Sequence, residues 1–194
     1  MRIDVMKTYK LFINGNFPRS ESGRVYEITD AKGKFLANPC SGSRKDLRES
    51  VIAARAAQQG WSNATAYNRG QILYRVAEIM QGRREQFIAE IMAQEGATLA
   101  AARAQVDSAI DTWVWYAGWT DKIDSISGST NPVSGSFYNF TIPESLGVVV
   151  IFADSKPSLF NLAAALAPVI ASGNTAIVIA SQKYPLTAIT LAEC

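Results

Sequence analysis

Between Ser43 and Ile123 the apolar residues recur at three- and four-residue spacing, the period of helices that bury one face. Ser43 with Asp46 three residues on approximates a capping box, so a first helix is expected from there, with Leu47, Val51 and Ala54 on one face and an end at Gly60. A second is expected over 67–81, where Leu73, Val76, Ala77 and Met80 form the stripe and Gly82 breaks it. A third, over 83–95, should bury Phe87, Ile88, Ile91 and Met92 before Gly96. The fourth is long, over 98–123, with Val106, Ile110, Trp113 and Ala117 on its stripe. Residues 125–136 are rich in Ser, Gly, Asn and Pro and read as a loop, and Phe137–Ile142 alternates as a strand closed by Pro143.

From Leu146 the pattern changes. The apolar run Leu146–Ala153 has the length and Val/Ile content of a strand buried on both faces. A helix over 159–171 should stop at Ser172-Gly173-Asn174, a second β-branched run fills 175–180, and Pro185 opens a last helix over 186–193. Strand, helix, strand at this spacing is a βαβ unit with parallel strands. Such sheets place ligands beyond the carboxyl ends of the strands, here near Ala153-Asp154-Ser155-Lys156 and Ala180-Ser181-Gln182-Lys183. Two strands and one helix cannot cover an α/β sheet, so further strands are expected from an assembly or a longer chain. Residues 7–40, with Asn14-Gly15 as a hairpin turn and short runs at Val25–Ile28 and Phe35–Ala37, read as surface hairpins packed on this body. The fold class is α/β in three stretches: strands and helices over 1–124, a loop and a strand over 125–145, and a βαβα unit over 146–194.

Composition narrows the chemistry. A net charge of +2 argues against a nucleic-acid partner, and the basic pairs Arg44-Lys45 and Arg83-Arg84 are expected on solvated helix faces. The first seven residues hold no apolar segment of a secretory signal, and the apolar run over 159–171 is too short for a bilayer, so a cytoplasmic location is expected and a membrane partner is not. With no histidine and only Cys40 and Cys194, no Ser-His-Asp triad, Cys-His pair or clustered metal site can be built. Trp113, Trp115, Tyr116 and Trp119 are expected to serve helix packing rather than to stack on a cofactor.

The order of several short motifs adds what periodicity cannot. Phe12-Ile13-Asn14-Gly15, Asn68-Arg69-Gly70, Glu95-Gly96, Tyr116-Ala117-Gly118, Leu146-Gly147-Val148-Val149, Leu166-Ala167-Pro168, Gly173-Asn174-Thr175 and Pro185-Leu186-Thr187-Ala188 follow one another along nearly the whole chain. In this the sequence resembles the amino-terminal portion of the aldehyde dehydrogenase superfamily. The resemblance implies a Rossmann-like domain that binds NAD or NADP without the usual glycine fingerprint, a catalytic domain, and an oligomerisation arm to which residues 137–142 would belong. A homo- or hetero-oligomer through that strand is the partner it implies.

Residue by residue, the resemblance turns against activity. Active members read Trp-Asn-Phe-Pro after the first strand, and the Asn amide stabilises the oxyanion. Here the turn reads Ser155-Lys156-Pro157-Ser158, with Lys156 at the Asn position. After the second strand the family reads Lys-Pro, and that Lys holds the adenosine ribose; here the position is Ile179, then Ala180, Ser181 and Gln182, with Lys183 four residues displaced. The cleft positions implied for the cofactor are therefore Phe152, Ala153, Asp154, Ser155, Ile179, Ala180, Ser181 and Gln182, and weak binding is expected because Ile179 offers the ribose no charged donor. The family's nucleophilic Cys and general-base Glu are implied beyond residue 194, and no catalytic residue or metal ligand is assigned within the chain.

Three functions follow as expectations. One is a portion of an aldehyde dehydrogenase family protein, inactive alone, whose family reaction is NAD(P)-dependent oxidation of an aldehyde to a carboxylic acid. The second is a non-catalytic homologue serving as scaffold or partner of an active dehydrogenase, which the residues at 156 and 179 favour. The third is a small module binding nucleotides or acyl groups in the cleft alone, supported by the βαβ geometry.

Overall fold

A computed structural model describes residues 7–153 and 156–194. Its helical layer forms where the periodicity places it. Helix α1 (Arg44–Ser62) starts on the expected capping box: Ser43 Oγ accepts from the N–H groups of Lys45 and Asp46, and the Asp46 carboxylate accepts from Ser43 N. It runs through Gly60 rather than stopping there, since one glycine costs a helix only about 1 kcal/mol. Helices α2 (Ala66–Gly82) and α3 (Arg84–Glu95) follow, and Gly96 ends α3 in the left-handed conformation at φ 68°. Helix α4 (Leu99–Ala117) is shorter than expected; Gly118 ends it, and Ile123 belongs to a separate five-residue helix, α5 (Ile123–Ser127).

The core lies among α2, α3, α4 and the later helix α6 (Ser158–Ala171). Leu73, Met80, Phe87, Ile91, Val106, Leu159 and Leu162 are fully or almost fully enclosed there. Helix α4 meets α6 through Ala102, Ala109, Ala163 and Ala167, whose small side chains let the two axes approach. Met92, expected in the core, is exposed because it falls off the Phe87/Ile88/Ile91 stripe. Among the aromatics Trp113 is buried as expected, but Trp115 is exposed and tilts against Trp119 with ring centroids 5.9 Å apart. The basic pair at 83–84 is not free in solvent either: Arg83 pairs with Glu193, and Arg84 makes a two-point bridge to Asp107 at 2.8 and 2.9 Å.

The βαβ unit is present. Strands β5 (Val148–Phe152) and β6 (Thr175–Ile179) pair in parallel, Val148 opposite Thr175 and Phe152 opposite Ile179, with α6 between them in sequence. Helix α1 lies against both strands. The expectation that β5 is buried on both faces is corrected: Ile151 is buried, whereas Val150 is 48% and Phe152 80% exposed. Among the described residues β5 pairs only with β6, so alternate positions along it have no cover. The last helix, α7 (Leu186–Ala192), has seven residues.

Two small sheets complete the chain. Strands β1 (Ile28–Thr29) and β2 (Phe35–Ala37) form an antiparallel pair, and Tyr9, Ile28 and Ala37 pack with Leu186 in a satellite cluster. Residues 9–13 form no regular strand; the hairpin there is reduced to the Ile13–Asn16 bridge around Asn14 and Gly15, both at positive φ. The expected loop over 125–136 contains the end of α5 and strand β3 (Ser129–Thr130), which pairs with β4 (Phe140–Thr141). The strand expected over 137–142 thus contracts to two residues and finds an internal partner.

The family-like motifs acquire physical reasons in this arrangement. The Arg69 guanidinium donates to the carbonyls of Ala171, Ser62 and Ala64, which closes the C-terminal ends of α6 and α1. Asn174 Oδ1 accepts from Gly147 N at 2.9 Å, pinning the start of β5 to the turn before β6.

The capping box yields a stability prediction. Burial by itself would raise the Asp46 carboxyl, but bonds from Ser20 Oγ and from the N–H groups of Ser43 and Glu21 outweigh it and hold it below the usual carboxylate range. A carboxyl lowered in the folded state stabilises above the ordinary Asp range, and that contribution fades as pH falls through the lowered value. Asp46→Ala is expected to cost about 1–2 kcal/mol at neutral pH in urea unfolding, with the gap to the unsubstituted chain closing in acid. A gap that does not narrow in acid would show that Asp46 is not ionised in this role.

Candidate functional site

The carboxyl ends of β5 and β6 lie level, Phe152 opposite Ile179, and Ala153 N extends the ladder by donating to Ile179 O at 3.0 Å. Of the positions singled out in the sequence, Phe152, Ala153, Ile179 and Ala180 are thereby brought together. Phe152 is largely exposed, Ala153 half-buried against the helical core, and Ile179 39% exposed at the end of its strand. Asp154 and Ser155 lie outside the described residues. Ser181 is half-buried and its Oγ accepts from Tyr184 N at 3.3 Å, while Gln182 and Lys183 are exposed.

Lys156 points to the helices beneath the strand ends. Its Nζ donates to the Glu95 carbonyl at 2.7 Å and lies 5.1 Å from the centre of the Tyr184 ring, over which Lys183 Nζ also sits at 5.5 Å. The Glu95 carbonyl is one of the orphans at the end of α3, where a cation is favourable. Lys156 therefore caps α3, and its carbonyl accepts from Asn161 Nδ2 at 3.1 Å.

Below this turn runs a buried polar network that no local pattern announced. Glu95 Oε1 accepts from both N and Oγ of Ser158, and Glu95 Oε2 accepts from Gln105 Nε2 at 3.2 Å. Gln105 Oε1 in turn accepts from Leu159 N at 2.9 Å. Gln94 Nε2 donates to Ser158 Oγ at 3.0 Å and to Thr187 Oγ1 at 3.2 Å, while its Oε1 accepts from Leu186 N at 3.0 Å. The first N–H groups of both helices that follow the strands are thus closed by side chains from the end of α3 and from α4. Polar residues next to Gly96 could have signalled a helix end, but not which helix starts they serve.

The two thiols lie elsewhere. Cys40 N donates to Tyr9 O in the hairpin region, and Cys194 Sγ faces Thr190 O at 3.6 Å, where burial pushes the thiol up and keeps it protonated. Among the described residues no cluster of three or more His, Cys, Asp or Glu could hold a metal ion, and no helix is long and apolar enough to cross a membrane.

A dinucleotide needs polar donors for its ribose hydroxyls and its phosphates. At the strand ends Ile179 is apolar, the N–H groups of Ser158, Leu159 and Leu186 have side-chain acceptors, and the exposed Lys156 donates one bond, to the Glu95 carbonyl.

A family model described as the aldehyde dehydrogenase family matches residues 17–194. The human mitochondrial 10-formyltetrahydrofolate dehydrogenase is 32% identical over 199 residues, covering 98% of this chain and 21% of that protein. Human retinal dehydrogenase 2 is 31% identical over 190 residues, covering 95% of this chain and 36% of that protein. The chain thus spans well under half of the relatives it matches. Among solved structures, the NAD+ complex of an aldehyde dehydrogenase from Bacillus cereus superposes with a TM-score of 0.92 at 26% identity, covering 96% of this chain and 38% of that one. HpcC from Thermus thermophilus also gives 0.92, at 28% identity and with 36% of its chain covered.

Proposed function

The chain belongs to the aldehyde dehydrogenase family, and on that premise we propose that it forms the amino-terminal part of the family's cofactor-binding region in a version that holds NAD or NADP weakly and performs no hydride transfer by itself. The family reaction it derives from is NAD(P)-dependent oxidation of an aldehyde to a carboxylic acid. The observation that carries the reading is the state of Lys156: at the position where active members present an oxyanion donor, the side chain is bound to the Glu95 carbonyl and packed on Tyr184. Ile179 supports it from the second strand, since an apolar side chain gives a ribose no charge-assisted partner. The cleft would consist of Phe152, Ala153, Asp154, Ser155, Ile179, Ala180, Ser181 and Gln182.

The same two substitutions favour a second reading, a non-catalytic homologue that keeps the fold as a partner of an active dehydrogenase. Residues 137–142 would carry the association as homo- or hetero-oligomer, because Phe137, Tyr138, Phe140 and Ile142 are all more than half exposed.

Calorimetric titration of the chain with NAD and with NADP is expected to give no dissociation constant tighter than about millimolar. Micromolar binding of either, or reduction of the nicotinamide by the chain with any aldehyde, would overturn the proposal.

A further inference from the structure

We propose that Glu90 is a proton-controlled clasp that fastens the N-terminal segment, through Lys7 and Tyr9, to α3 and α7. The clasp lies away from the strand ends and does not depend on the proposed function.

Glu90 is only 8% exposed, and its contacts converge on one oxygen. Oε1 accepts from Thr190 Oγ1 at 2.8 Å, from Tyr9 Oη at 3.2 Å and from Gln86 Nε2 at 3.3 Å. Oε2 is enclosed with no hydrogen-bond partner. An enclosed carboxylate oxygen without a donor is costly when charged, and a proton there removes the charge. The remaining groups facing the junction come from three elements. Lys7 Nζ, from the N-terminal segment, donates to Thr190 Oγ1 at 3.0 Å, bridges to Glu193 at 2.8 Å and lies 5.0 Å from the centre of the Tyr9 ring. Arg83, at the start of α3, pairs with the same Glu193 beyond the end of α7, and the Cys194 thiol sits beside them.

The two carboxyls are driven in opposite directions. Burial raises Glu90 above the usual range, and the bonds from Thr190, Gln86 and Tyr9 with the Lys7 charge do not cancel that rise. Burial would raise Glu193 too, but Lys7 and Arg83 outweigh it and hold Glu193 low. Burial and the Glu90 charge also push the Tyr9 hydroxyl up, so it stays a donor throughout.

The signs follow from linkage. A carboxyl raised in the docked state favours docking while it holds its proton, and that contribution is lost as pH climbs from the ordinary carboxylate range through the raised Glu90 value. Glu193, lowered in the docked state, favours docking above the ordinary range and ceases to do so in stronger acid. Attachment of residues 7–40 is therefore tightest in mild acid, where Glu193 is charged and Glu90 is neutral. Each pH unit by which Glu90 is raised corresponds to about a tenfold change in the docking equilibrium.

Hydrogen exchange of residues 7–40, read by mass spectrometry from about pH 5 to about pH 8 and corrected for intrinsic rates, tests this on the intact chain. The unsubstituted chain is expected to lose protection in this segment as pH rises, and Glu90→Gln to flatten that loss while α2 and α4 keep their protection. Thr190→Val, which removes a donor to the carboxylate, is expected to move the midpoint of the loss to higher pH. Equal pH dependence in the unsubstituted chain and Glu90→Gln, or a midpoint unmoved or lowered by Thr190→Val, would overturn the clasp. Should Glu90→Gln fail to fold, the midpoint in Thr190→Val decides alone.

Discussion

Gly70→Val is expected to lower the stability of the chain by about 3 kcal/mol or more, enough to leave a large unfolded fraction in a marginally stable protein. Gly70 lies on α2 where that helix passes the end of α4. A Cβ there would stand 2.8 Å from Thr120 Oγ1 and 3.0 Å from the main-chain oxygen of Ala117. Neither neighbour can swing aside: Thr120 is 5% exposed and its hydroxyl donates to that same Ala117 oxygen at 3.0 Å. Relief would require α2 and α4 to separate along a contact that holds Leu73, Ala77, Val106 and Trp113 in the core. Alanine sets the scale of the competing effect. Gly→Ala inside a helix gains up to about 1 kcal/mol of propensity, so Gly70→Ala measures the clash against that gain, and valine adds two more methyl groups with no further gain. Urea denaturation followed by circular dichroism is the measurement. A midpoint for Gly70→Val equal to that of the unsubstituted chain would mean that the two helices are less closely approached than the geometry says.

The contrast between Gly70 and Ser43 shows which parts of the fold could be read from the sequence. The capping box at Ser43 and Asp46 is complete within four residues, so the residues themselves specify it; the same holds for Gly96 and for the strand–helix–strand unit, whose periods are local. Gly70 stood out only as part of a motif, because its neighbours Ala117 and Thr120 come from another helix and the turn after it. Arg69 is similar, since nothing near it in sequence reveals that it closes α6 at Ala171. Errors arose where the third dimension decides. Val150 and Phe152 have the composition of doubly covered strand residues, yet β5 has a single strand neighbour among the described residues and both are exposed. The candidate cleft followed the same division: the sequence could single out Lys156 and Ile179 by their places after the two strands. That Lys156 spends its ammonium on α3, and that Gln94, Glu95 and Gln105 close the helix starts below, required the packing of α3, α4, α6 and α7.

Glu95→Ala is the second large effect expected, a loss of about 3–4 kcal/mol, because it withdraws the one acceptor shared by three donors in a buried setting. Ser158 N and Ser158 Oγ would both lose Glu95 Oε1, and Gln105 Nε2 would lose Glu95 Oε2. Gln105, released on one side, would hold its cap on Leu159 N less firmly, so the damage extends to the second N–H of α6. Water could rescue these groups only by entering a region where Ser158, Gln94 and Thr187 are all almost fully enclosed. The bond from Lys156 is untouched by the substitution, since it goes to the Glu95 main chain, so the loss reads the network alone. Glu95→Gln separates charge from geometry. It keeps an oxygen for Ser158 but turns an N–H₂ toward Gln105 Nε2, a donor against a donor, and is expected to cost about half as much. In a chain of this size the alanine variant should melt roughly 8–12 °C lower. Thermal melts of the two variants check both the size and the order of the effects. An alanine variant within about 1 kcal/mol of the unsubstituted chain would mean that the helix starts below the cleft are satisfied by solvent, which would also reopen the case for a ligand there.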